Sequence, residues 1–207
     1  MKGHGAQPAD LIHFRAEDWI AQVEHLLLET KSRFTNVFMV GFSMGGTLAL
    51  HLAANYDFSG VATLAAPVKL SLTDELLIRS FHWIVKWQHK TNGSDIKDRS
   101  MADLLYTYSS YPSRSTVEVF RLVRKIKPAI SRISMPILIV HGTEDHVVPV
   151  TNAGLIANKV ASRHKKLVIV QNSYHILPMD FDKQTIRSAI HAFIGEVLQQ
   201  VPEQPQA

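Results

Sequence analysis

Residues 37–54 constrain the fold of this chain more than any other stretch. Val37 to Val40 form an apolar run long enough for a buried strand, the pattern Gly-x-Ser-x-Gly follows over 41–45, and Thr47 to Ala54 are good helix formers. A strand that turns into a helix at such a pattern sets its serine on a strained turn. Crowding there predicts that only small residues fit two positions either side of Ser43, at Gly41 and Gly45. The turn aims the Ser43 hydroxyl out of the sheet and puts the Met44 N–H at a helix N-terminus, where it can stabilise a developing oxyanion. The bland alternative is a passive serine in a Gly-rich turn. The strand before it and the helix after it favour a nucleophile.

The rest of the chain repeats the alternation. Strands are predicted at 36–40, 61–66, 136–140 and 166–170, and helices at 17–31, 150–162 and 182–199, with residues 1–15 as loop. In the first helix Trp19, Ile20, Val23, Leu26 and Leu27 share a face; the last buries Ile186, Ile190, Phe193, Ile194 and Val197. Continuously apolar strands alternating with helices specify an α/β fold, a parallel sheet covered by helices on both faces. Residues 68 to about 132 break the pattern with helical pieces, Ser-rich turns, Tyr106, Tyr108, Tyr111, Trp83 and Trp87. A connection this long is expected to be functional, often a lid. The bland alternative is that these aromatics, with Phe81 and Ile84 near Trp83 and Trp87, are the small core of an inserted helical subdomain; both can hold, since a lid needs a core. The predicted organisation is one domain over 1–207: core 1–67 and 133–200, cap about 68–132, and a disordered tail at 201–207.

Composition narrows the function classes. At 207 residues, 46% hydrophobic and 19% charged, the chain can bury a sizeable core. It has no cysteine, so thiolate chemistry, disulfides and Cys-based metal sites are excluded. No run reaches the roughly 18 apolar residues of a membrane span, and the N-terminus reads as no signal peptide, so a cytoplasmic location is expected. The net charge is +4, and the most basic stretch, 121–132, is expected to be an amphipathic helix with a solvated face rather than a nucleic-acid site.

In a parallel sheet the ligand site lies beyond the carboxyl ends of the strands. Ser43, Asp145 and His175 each sit in a loop leaving such an end. A serine hydroxyl needs an imidazole to take its proton, and the imidazole needs a carboxylate to fix its tautomer. Glu144 is the competing acid. Asp180 and Asp182 are expected to lead into the last helix, Asp182 near its N-cap. His141 and His146 flank the acid without a metal-binding pattern, His4 reads as a structural loop residue, and His51, His82, His89 and His191 read as helix residues without a partner. Neither metal nor organic cofactor is expected.

These pieces resemble the serine-esterase branch of the α/β-hydrolase fold, near bacterial carboxylesterases and monoacylglycerol lipases. The resemblance rests on Lys2 to Gly5 (Lys-Gly-His-Gly), residues 41–46, Pro136 to Pro149 and Ser173 to Ile176. It implies Ser43 as nucleophile, Asp145 as orienting acid, His175 as base, and 68–132 as the cap over an acyl pocket. It implies ester substrates, short- to medium-chain acyl esters or monoacylglycerols, with amide, thioester or C–C cleavage as the alternative. The family carries several strands ahead of the Gly-His-Gly loop, and one of them supplies a second oxyanion donor. Here Met1 directly precedes that loop. The resemblance therefore implies an N-terminally truncated hydrolase lacking that donor, a loss that typically costs about 100- to 1,000-fold in turnover. A catalytically impaired remnant is the non-enzymatic alternative. The elbow strand becomes a sheet edge open to self-association.

Overall fold

The structure is a computed structural model that describes residues 1–5, 7–89, 93–105 and 107–200. Tyr106 and the tail expected to be disordered, 201–207, lie outside the described residues. The opening segment, expected as loop, contains a 3-10 helix at Pro8–His13 started by its proline. Helix α1 (Ala16–Arg33) follows, with acids in its first turn and Lys31 and Arg33 in its last, as the helix dipole favours. Trp19, Ile20 and Leu27 are buried, whereas Leu26, expected on the same face, is half exposed.

Strands β1 (Phe38–Phe42), β2 (Gly60–Leu64), β5 (Ile137–Gly142) and β6 (Lys165–Val170) form one parallel sheet in the order β1-β2-β5-β6. These are the four expected strands, with bounds shifted by a few residues. β2 and β5 are buried throughout and alternate between two cores. Val61, Ile137 and Ile139 pack with α1, with α2 (Met44–Asn55) and with α5 (Thr151–Lys159), which is shorter than the expected 150–162. Ala62, Leu64, Leu138 and Val140 pack on the opposite face with Ile186, Phe193 and Val197 of α6 (Lys183–Gln200). β1 is one edge, as expected, and leaves Val40 exposed. β6 is the other edge; Leu167 and Ile169 are exposed, so this strand is not covered on both faces.

The insertion holds α3 (Leu72–Phe81), a two-stranded antiparallel ribbon of β3 (Trp87–His89) and β4 (Ser110–Pro112), and α4 (Ser113–Ile126). The basic helix expected at 121–132 thus begins eight residues earlier and ends before Pro128, which has no N–H to continue it. Its Arg121, Arg124 and Lys125 are exposed, while Leu122 and Ile126 join the cluster around α1 and α2. The alternative reading of a small core around Trp83 and Trp87 is not what the structure has. α3 packs on α4, and the turn beyond it carries Trp83 on its solvent side at 67% exposure, with Phe81, Ile84 and Trp87 also exposed. No helix among the described residues is long and apolar enough to cross a membrane.

Candidate active site

Ser43 occupies the single step between β1 and α2, at φ 52° and ψ −123°. An L-residue is strained there by about 1–3 kcal/mol, so the surroundings must hold it. They do: its N–H donates to the Leu64 carbonyl at 2.8 Å, and its own carbonyl accepts from Gly46 and Thr47 in the first turn of α2. The crowding is not quite where the motif predicts it. A Cβ on Gly41 would lie 2.2 Å from the Gly45 carbonyl oxygen, and one on Gly46 2.7 Å from the Ala66 Cβ, but one on Gly45 would meet nothing within 4 Å. The small-residue requirement therefore falls on Gly41 and Gly46. Gly45 supplies backbone for others to collide with.

The three loops converge. His175 Nε2 lies 2.9 Å from Ser43 Oγ, and His175 Nδ1 lies 2.8 Å from Asp145 Oδ2. The imidazole is buried against Phe42, whose ring centroid is 5.2 Å away. Asp145 follows β5, and its Oδ1 accepts the backbone N–H groups of Val147 and Val148 at 2.9 and 2.7 Å. His141 Nε2 donates to the Val148 carbonyl at 2.9 Å and stands 3.3 Å from Asp145 Oδ2. Burial pushes the Asp145 carboxyl upward, but the hydrogen bonds from His141, His175 and the Val148 N–H outweigh it and hold the group well below the usual carboxylate range.

That depression links the site to stability. A carboxyl that binds its proton less readily when folded stabilises the fold above its unfolded value of about 3.9, and loses the contribution as pH falls through the folded value. Urea midpoints of the protein and of Asp145→Asn are accordingly expected to differ most near neutrality, the gap closing below about pH 4. A gap unchanged between pH 7 and pH 3 would contradict this account.

The competing candidates are engaged elsewhere. Glu144 Oε1 pairs with Lys97 Nζ at 2.7 Å. His146 bonds Asp95, not a second ligand, and no group of three or more metal-ligating side chains occurs among the described residues. His51 is not partnerless: its Nε2 lies 3.1 Å from Glu24 Oε1. His89 is on β3 rather than a helix, His82 stands just beyond α3, and His191 lies in α6. The His4–Gly5 turn lines the same cavity as Ser43, with the Gly5 N–H on Tyr108 Oη at 3.0 Å.

Two carboxylates do more than lead into the last helix. Asp180, fully buried, accepts four backbone N–H groups: Lys97 and Tyr174 on one oxygen, Asp98 and Phe181 on the other, at 2.8–2.9 Å. Asp182 does precede α6 directly, but its side chain holds Asn172 N and Ser173 Oγ. Asp95, in the insertion, accepts the N–H of His175. Sequence reasoning passed over all three roles, because each acts on backbone groups of a loop rather than through a local pattern.

The family model described as Hydrolase_4, Serine aminopeptidase, S33, matches residues 1–182. The chain belongs to this family. Within it, this hydrolase is 33% identical over 187 residues to the thermostable monoacylglycerol lipase of Bacillus sp. (strain H-257), covering 90% of its own length and 73% of that enzyme's. It is 21% identical to the carboxylesterase of Bacillus subtilis (strain 168), over 95% of its own length and 79% of the relative's. A solved structure of LipS and LipT, described as two metagenome-derived lipolytic enzymes, superposes with a TM-score of 0.88 at 29% identity, covering 94% of this chain and 79% of that one. The hydrolase thus has the α/β-hydrolase fold of lipases and esterases.

Proposed function

We propose that this protein hydrolyses carboxylic esters, monoacylglycerols or short- to medium-chain acyl esters, through an acyl-enzyme on Ser43. The observation that carries the proposal is the unbroken relay from Ser43 Oγ through both His175 nitrogens to Asp145, with links of 2.9 and 2.8 Å. With Nδ1–H donating to Asp145, Nε2 is left to accept the Ser43 proton as Oγ attacks the ester carbonyl carbon. The Met44 N–H, at the start of α2, is the donor we assign to the oxyanion. Collapse of the tetrahedral intermediate expels the alcohol, which takes its proton from His175. Water, deprotonated by the same nitrogen, then releases the acid.

The substrate class draws on the space above Ser43. A cavity of about 870 Å³ opens there, walled by Leu70, Ile78, Tyr111, Val119, Phe120 and Val147. Its aliphatic and aromatic lining suits an uncharged acyl chain. Most of this wall comes from the insertion, which supports its role as the roof of the acyl pocket. The lipase and carboxylesterase relatives point the same way, whereas the family's description names an aminopeptidase. A fluorophosphonate probe is expected to label the protein but not Ser43→Ala, and a monoacylglycerol to be turned over in preference to an aminoacyl anilide. Labelling that survives in Ser43→Ala defeats the nucleophile assignment; faster anilide cleavage defeats the ester assignment.

A further inference from the structure

We infer that Asp95 is a positioning residue that holds the loop of the base and the loop of the acid at a fixed separation. It lies in the insertion, far in sequence from both. Its Oδ2 accepts two backbone N–H groups, that of His175 and that of His146, each at 3.1 Å. Its Oδ1 meets the His146 ring at Nδ1, 2.8 Å away, and its own carbonyl accepts the Ile176 N–H at 3.0 Å. One carboxylate oxygen is therefore the shared anchor of the residue that carries the imidazole and the residue next to Asp145.

The geometry has a functional consequence. His175 must reach Ser43 with one nitrogen and Asp145 with the other, so its distance from the Asp145 loop sets both bonds at once. Asp145 is fixed within its own loop by Val147 and Val148, and His175 within its own by the following turn, where Leu177 N–H returns to the His175 carbonyl at 2.8 Å. Neither of these local contacts joins the two loops. Asp95 does so, its carboxylate gripping backbone N–H groups of both loops while its own carbonyl ties it to Ile176 on the loop of the base. The Tyr174 ring, edge-on to His146 at 4.5 Å, packs across the same junction. Asp180 fastens the neighbouring residues Lys97 and Asp98 to Tyr174, so the anchor itself is held on the base-bearing loop. Displacements of about 1 Å at a reacting constellation can cost about 100-fold. The insertion thus contributes to alignment of the site as well as to its roof.

This inference rests on the Ser43–His175–Asp145 reading, and the test separates the two. Purified protein, Asp95→Ala, Asp95→Asn and Ser43→Ala are compared on a p-nitrophenyl ester, with functional sites counted by fluorophosphonate titration. Asp95→Ala is expected to lower kcat per titrated site by about 10- to 100-fold with KM changed less than about threefold. Asp95→Asn keeps an oxygen for both N–H groups and an amide for the His146 ring, and is expected to restore kcat to within about threefold of the parent. Where the alanine variant does not fold, Asp95→Ser, too short to span both loops, takes its place with the same expectation. Full kcat per site in the alanine or serine variant, or an asparagine variant as impaired as they are, overturns the positioning role while leaving the triad intact. Activity surviving in Ser43→Ala overturns the triad and this inference with it.

Discussion

Ser43→Ala is expected to lower kcat/KM for an ester by about 10,000- to 1,000,000-fold, and His175→Ala to do nearly as much. Combining them is expected to cost little beyond the worse single change, because in the proposed mechanism the hydroxyl and the imidazole act as one unit: an unassisted alcohol is as poor a nucleophile as a missing one. The structure makes the serine substitution a clean one. Ser43 keeps its place through its own N–H on Leu64 and its carbonyl on Gly46 and Thr47, none of which involves Oγ. Thermal melts of Ser43→Ala should therefore stay close to the parent while turnover disappears. Residual activity should come from the Met44 N–H and from binding in the cavity, the parts both variants keep. Two independent, multiplying losses would mean that the hydroxyl and the imidazole do not act as a unit, and a serine variant within about 100-fold of the parent would mean that a different group attacks the carbonyl.

Much of this site was open to sequence reasoning, and the physical reason is specific. A nucleophile at a strand–helix turn is forced to use a short pattern of small residues, and the acid and base must follow strands whose apolar runs are visible. Ser43, Asp145 and His175 stand at those places, and their side chains meet. What the sequence hid is whatever depends on backbone groups meeting across the chain. Asp95 reaches His175 over 80 residues, and Asp180 reaches Asp98 over 82. A carboxylate that accepts N–H groups needs no particular neighbour, so nothing local marks it. The ribbon of β3 and β4 was equally hidden, since three-residue strands are too short to show a period of two. Helix α4 starts ahead of the basic stretch because its first turn is drawn from one of the Ser-rich segments of the insertion, at Ser113 and Ser115. Both are buried, and Ser115 Oγ donates to the Pro112 carbonyl at 2.7 Å, so at Ser115 a polarity that suits a turn serves the start of a helix.

The two glycines of the Gly-x-Ser-x-Gly pattern are expected to respond very differently to the same added methyl group. Gly41→Ala puts a Cβ 2.2 Å from the Gly45 oxygen, 2.5 Å from the Gly45 carbonyl carbon and 2.7 Å from the Gly46 Cα. Every one of these is backbone in the first turn of α2, so no side chain can rotate away. Relief requires β1 and α2 to move apart at the step that Ser43 occupies between them. The cost is expected to be about 3 kcal/mol or more in urea unfolding, the upper end for overpacking, with turnover lost because the Ser43 turn is the element displaced. Gly45→Ala adds its Cβ to open space in a helix, where alanine is the better former by up to about 1 kcal/mol. Its urea midpoint is expected to match or slightly exceed the parent's. Were Gly45→Ala as destabilised as Gly41→Ala, steric contact could not be what selects glycine at this turn. Were Gly41→Ala as stable as the parent, the close approach of β1 to α2 that shapes the Ser43 turn would itself be wrong.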